Sequence, residues 1–328
     1  MNRRQALLRA GALGAALFLP AARAQAPAKI PRVAVFTYGS RFNARSRTDA
    51  LLKAMRELGY EEGKNVQYVW RFANGQPDLL RELAIEMSRE KLDVIVSAST
   101  LTTDALLQAT STIPIVMATV EDPVISGFVK SLARPETNVT GLTANAIEQV
   151  PRHMELLLKV APGLGKVAAL VNPGNAIYAA YRSRLEWAAR SARVRLIMMD
   201  ASNYRDIEGA FRSLAAAPVG GLIVMSDGTF YTERNTIAEL AARYRIPAVY
   251  PQQGYVDAGG LMSYGQNLEG NYTRAAAYVD RILKGEKPSE MPIEQPANNE
   301  LVVNRNAARS LGLTLSPDLV KRANKVIG

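Results

Sequence analysis

From residue 32 onward, short apolar runs alternate with amphipathic stretches. Residues 33–36 are apolar without a break, as a strand buried on both faces requires. A polar loop follows over 37–43. A helix is then predicted over about 45–58, with Leu51, Met55 and Leu58 on one face and Gly59 as its stop. Residues 66–72 alternate, which sets Val66, Tyr68, Trp70 and Phe72 on one side of a second strand. Asn74-Gly75 turns the chain, and Pro77 opens a helix to about residue 90. Residues 93–96, 102–109 and 113–117 predict a strand, a helix and a strand.

The second half repeats this plan. Strands are predicted over 166–171, 195–199, 221–225 and 246–250, with helices over 178–191, 207–216 and 232–244 between them. Leu92-Asp93-Val94-Ile95-Val96 has its counterpart in Gly221-Leu222-Ile223-Val224-Met225, and Ile113-Pro114 in Ile246-Pro247. A proline suits the start of a strand, where no ladder donor is yet needed. Strands separated by helices mean parallel sheets. The expected fold class is therefore α/β, with two doubly wound parallel-sheet lobes. Open sheets of this kind bind ligands at the C-terminal ends of their strands, so two facing lobes make one cleft. Residues 138–145 and 261–267, carrying Gly141 and Gly265, are the expected crossings, with glycines to let the cleft close. The tail beyond residue 293, with a strand over 301–304 and helices over 306–311 and from Pro317, is expected to cross once more. One lobe is then 31–144 with 268–297, the other 145–267 with 298–328.

The net charge of +10 changes this picture little. Arg3, Arg4, Arg9 and Arg23 lie in the first 26 residues, which hold no acid, and without them the excess is +6, thinly spread. Nucleic-acid binding needs clustered basic residues, so it is not expected. The basic start, the apolar run over 10–22 and Ala22-Arg23-Ala24 read as a signal peptide over 1–26. Arg3-Arg4 makes it similar to a twin-arginine signal. With no cysteine there is no disulfide, no thiolate metal ligand and no lipid anchor. A soluble, exported, periplasmic protein is expected.

Several motifs stand in order: Gly59-Tyr60 with Gly63 and Asn65-Val66, Asp122-Pro123, Asn138-Val139-Thr140-Gly141, Gly259-Gly260-Leu261-Met262-Ser263-Tyr264-Gly265, Ile282-Leu283-Lys284-Gly285, and Leu311-Gly312-Leu313. In that order and spacing the chain resembles the ABC-transporter substrate-binding proteins whose better understood members bind tryptophan or tyrosine. The resemblance implies a type I periplasmic-binding-protein fold with a three-segment hinge, and delivery of ligand to a membrane permease.

No catalytic constellation is legible. His153 is the single histidine, on a predicted helix over 152–160, and is expected as a surface or supporting side chain. There is no dinucleotide or phosphate loop, and neither a metal nor a cofactor is expected. The strand ends supply hydrogen-bonding and aromatic side chains instead. Tyr38, Ser40, Ser99, Thr100, Thr119 and Asp122 come from the first half. Asn172, Asn175, Ser226, Asp227, Phe230, Tyr250, Gln252 and Tyr255 come from the second. Ser99-Thr100 at a helix start suits a carboxylate, Asp122 and Asp227 suit an ammonium, and Tyr38, Phe230, Tyr250 and Tyr255 suit an apolar wall. The expectation is a monomeric receptor for an aromatic or branched amino acid, or for an aromatic carboxylate. A sensory receptor for a membrane kinase or chemoreceptor is the alternative, and an enzyme with an interlobe site the third.

Overall fold

The unbroken apolar run at 33–36 forms β1 (Arg32–Thr37), buried on both faces: Val33 and Val35 join one core cluster, Ala34 and Phe36 the other. The computed structural model describes residues 29–214, 216–296 and 299–328, so the export segment expected over 1–26 lies outside the described residues. Around β1 the first lobe adds α1 (Arg41–Glu57), β2 (Gln67–Phe72), α2 (Pro77–Arg89), β3 (Val94–Ser97), α3 (Thr100–Ala109), β4 (Ile115–Val120) and β5 (Val139–Thr143). Its strands are all parallel, in the order β2-β1-β3-β4-β5.

The second lobe is built from α4 (Ala146–Val160), β6 (Lys166–Val171), α5 (Tyr178–Ala192), β7 (Arg195–Asp200), α6 (Tyr204–Ser213), β8 (Gly221–Val224), α7 (Gly228–Thr232), α8 (Arg234–Arg243), β9 (Ala248–Tyr250), α9 (Gln253–Asp257) and β10 (Met262–Gln266). The chain then forms α10 (Leu268–Leu283), which packs on α1, β3, β4 and β5 of the first lobe. It returns as β11 (Asn299–Asn304), α11 (Arg305–Ser310), α12 (Pro317–Arg322) and β12 (Lys325–Ile327). The second sheet runs β12-β11-β10-β9-β8-β6-β7, with β11 antiparallel to β10. Its β7-β6-β8-β9-β10 part repeats the strand order of the first lobe, the structural form of the sequence repeat.

Several expectations change in detail. The helix expected over 232–244 is α8, and a short unexpected helix, α7, capped by Asp227, precedes it. The helix expected from 207 starts at Tyr204, where Asn203 accepts the Asp206 N–H as its cap. The crossings at 138–145 and 261–267 contain the strands β5 and β10. Leu58 is exposed at the end of α1 and does not join the core face with Leu51 and Met55.

His153 is buried, not a surface side chain. Its Nε2 lies 2.6 Å from the carbonyl of Tyr264, tying α4 to β10. Burial pushes its pKa down from 6.5 to about 4. The unfolded chain therefore takes up a proton at a pH where the folded ring stays neutral. The associated stability is complete above pH 6.5 and is lost as the pH falls toward 4, on the order of 3 kcal/mol. Urea unfolding across that range should show a steeper acid loss in the wild type than in His153→Gln. Equal slopes would mean that the ring is protonated in the fold.

Candidate functional site

The strand-end loops of both lobes meet around a cavity with about 460 Å³ of empty space, part of it open to solvent. The enclosed cavity itself is only about 40 Å³, room for little more than water, so the lobes must part to admit a ligand. The lobes touch across its mouth: a Cβ on Gly228 would lie 3.2 Å from the Ser99 hydroxyl, and one on Gly39 would lie 3.1 Å from that of Thr232. Of the residues singled out from sequence, Tyr38, Ser99, Thr119, Ser226, Asp227 and Gln252 line the cavity.

The others lie elsewhere. Ser40 caps α1 by accepting the Asn43 N–H. Thr100 stands beside the cavity and donates to Glu121. Asp122 holds its own turn, accepting from the N–H groups of Val124 and Ile125 at 3.0 and 2.9 Å. It does not line the cavity and is not placed to receive an ammonium there. Asn172 and Asn175 stand behind Asp227, donating to its carboxylate at 3.2 and 2.9 Å. Phe230, Tyr250 and Tyr255 belong to the core of the second lobe, where the two tyrosine rings stack at 4.9 Å between centroids. They do not join the expected aromatic wall; of its four residues Tyr38 lines the cavity, and Tyr231 lines it with Tyr38.

Glu121, Arg47 and Tyr231 were left out of the binding set expected from sequence, Glu121 because adjacent acids before a proline usually form a turn or cap. Glu121 is wholly buried between the lobes. Its carboxylate accepts from Thr100 of the first lobe and, at 3.2 Å, from the Ser226 hydroxyl of the second. Ser226 in turn accepts from Gln252 Nε2 at 2.9 Å. Burial first, and then the neighbouring Asp227, push the Glu121 carboxyl up to about 8. Asp227 is also raised by burial, partly countered by Asn175, Asn172 and the N–H groups of Phe230 and Thr229.

Arg47 of α1 is buried with its guanidinium 4.6 Å from the ring centroid of Tyr231 in the second lobe. Its Nη2 donates to the Asn43 carbonyl, while Nε has no partner. The side-chain oxygen of Gln252, Oε1, is likewise buried and unpaired. The signal for Arg47 was present in the sequence: it stands one turn before Leu51 on the core-facing stripe of its helix, where a charge needs a reason. Tyr231 follows Phe230, and the 100° step of a helix separates the core-facing ring from the cavity-facing one.

The cavity thus offers two acidic side chains, a guanidinium, an unpaired amide oxygen and two phenol rings. Among the described residues, no group of three or more His, Cys, Asp or Glu side chains could hold a metal ion. Comparison with known proteins fits this picture. The chain is 25% identical over 271 residues to the "Tyrosine-binding protein" of Clostridioides difficile (strain R20291), covering 82% of this chain and 78% of that one. A conserved domain protein from Vibrio cholerae superposes with a TM-score of 0.85 at 29% identity, over 91% of this chain and all of that one. A Streptococcus pneumonia ABC domain, solved in complex with L-Trp, superposes at 0.84 with 20% identity and the same coverage. The fold is that of the type I periplasmic binding proteins. The family model for ABC transporter substrate binding proteins matches residues 32–327, and the chain belongs to that family.

Proposed function

We propose that this substrate-binding protein captures an aromatic amino acid between its lobes, in the periplasm, and delivers it to a membrane permease. One observation carries the reading: around one cavity Glu121 is buried with neutral partners and no counter-charge, and Arg47 Nε and Gln252 Oε1 are buried with no partner. A zwitterion supplies what is missing, a carboxylate for the guanidinium and an ammonium for the acid and the amide oxygen. Tyr38 and Tyr231 give the same cavity an aromatic lining. The tyrosine- and tryptophan-binding relatives support the same ligand class. No helix among the described residues is long and apolar enough to cross a membrane.

The test is thermal unfolding of mature protein that has been unfolded and refolded to strip carried ligand. At one hundred times its Kd, a ligand that binds only the folded state adds about 2.7 kcal/mol, several degrees of Tm for a chain of this length. L-Trp or L-Tyr is expected to give that shift, and the deaminated and decarboxylated analogues much less. A full shift with the deaminated acid alone would remove the ammonium from the reading. No shift with any amino acid would remove the ligand class.

A further inference from the structure

Closing these lobes buries two carboxylates close together. Glu121 lies at the end of β4 in the first lobe and Asp227 at the start of α7 in the second; both are about 3% exposed. The partners of Glu121 are all neutral, the hydroxyls of Thr100 and Ser226, of which the second crosses the cleft, and the backbone N–H groups of Thr100 and of Glu121 itself. Asp227 is met by amides and backbone N–H groups. The titratable groups that face Glu121 are Asp227 and Tyr181 from the second lobe, with Asp122 beside it in the chain. Arg47 and Tyr38 from the first lobe and Tyr231 from the second line the same cavity. Arg47 lies over the Tyr231 ring and bonds the Asn43 carbonyl, so among the described residues no cation is held against Glu121.

Taking an ionised carboxylate out of water with no counter-charge is strongly unfavourable, and a second acid nearby makes it more so. Two things relieve this, a proton on Glu121 or a cationic group of the ligand. We propose that Glu121 makes closure conditional on ligand: it holds the empty lobes apart at neutral pH and selects a ligand whose cationic nitrogen lets them meet. This deepens the amino-acid reading and rests on it for the nature of the ligand.

The proton linkage follows from the same geometry. In an open cleft Glu121 faces water and ionises in the ordinary carboxylate range near 4.5, whereas in the closed form its carboxyl is pushed up to about 8. Closing the empty protein between those limits takes up a proton. The closed-to-open ratio of the empty protein should rise up to about tenfold for each pH unit lowered between 8 and 5. A ligand ammonium replaces that proton, so liganded closure at pH 8 needs no uptake.

The cysteine-free chain allows this to be read directly. One spin label on each lobe, through Gln108→Cys and Arg205→Cys at exposed helix positions, reports the interlobe distance. The ligand-free protein is expected to be open at pH 8 and to close as the pH falls to 5, and L-Trp is expected to close it at pH 8. Glu121→Gln should close without ligand at every pH and lose at least tenfold in affinity for L-Trp. A ligand-free distance unchanged from pH 8 to 5 would overturn the proposal. So would a Glu121→Gln protein that stays open at pH 8, or one that keeps the pH response, which would then belong to Asp227. If the pH response is present and Glu121→Gln removes it, but no amino acid closes the lobes, the charge-controlled closure stands and the amino-acid reading falls.

Discussion

Asp227→Ala is expected to cost roughly 3 to 5 kcal/mol of unfolding free energy and to abolish ligand binding with it. The carboxylate fills its four acceptor positions. Oδ1 takes the N–H groups of Thr229 and Phe230 at 2.8 and 3.3 Å, and Oδ2 takes the side-chain amides of Asn175 and Asn172. Alanine leaves these buried donors unpaired and removes the cap of α7, the helix that carries Tyr231 to the cavity. Asp227→Asn should cost less, because it keeps an oxygen for the helix start. Its amide then faces the amides of Asn172 and Asn175, donor against donor, so it should not match the wild type. Urea unfolding of the three proteins checks the order. An alanine variant within about 1 kcal/mol of the wild type would mean that water replaces the whole network. The arrangement also separates two roles that sequence leaves merged: Asp227 organises the second-lobe loops, and Glu121 is the acid that bonds across the two lobes.

The repeat of strand, helix and Ile-Pro strand carried most of the architecture, because strands buried on both faces leave continuous apolar runs that read the same in either lobe. The strand-end loops were legible for the same reason. What could not be read was the side-chain direction within them. Glu121 and Asp122 are adjacent acids before Pro123, and only the turn that Asp122 closes on Val124 and Ile125 decides which one reaches the cavity. Phe230 and Tyr231 differ in the same way, by one helical step. His153 and Arg47 were underrated for another reason. A polar residue on an apolar helix face is easily assigned to solvent, whereas here both are buried, His153 on the Tyr264 carbonyl and Arg47 over the Tyr231 ring.

Gly265→Ala and Gly141→Ala should each lower stability by on the order of 4 kcal/mol, at the severe end for single substitutions. At Gly265 a Cβ would lie 1.9 Å from the carbonyl oxygen of Pro251, and at Gly141 2.2 Å from that of Met117. Both obstacles are backbone, which no rotamer can move aside, and Met117 is the ladder partner of Gly141. Gly141 adds a φ of +122°, a region that alanine scarcely enters. Gly312→Ala isolates that second effect, since Gly312 has a φ of +72° with nothing within 4 Å of its Cβ position. It should cost only about 1 kcal/mol. The comparison bears on function, because these glycines lie in the segments where the chain passes between lobes. A glycine kept for hinge freedom would, as alanine, leave unfolding stability nearly intact and slow or restrict closure. A glycine kept for close strand approach would lose stability first, and the surviving protein would still close. Urea unfolding together with the interlobe label distance separates the two, and the geometry at Met117 and Pro251 predicts the second.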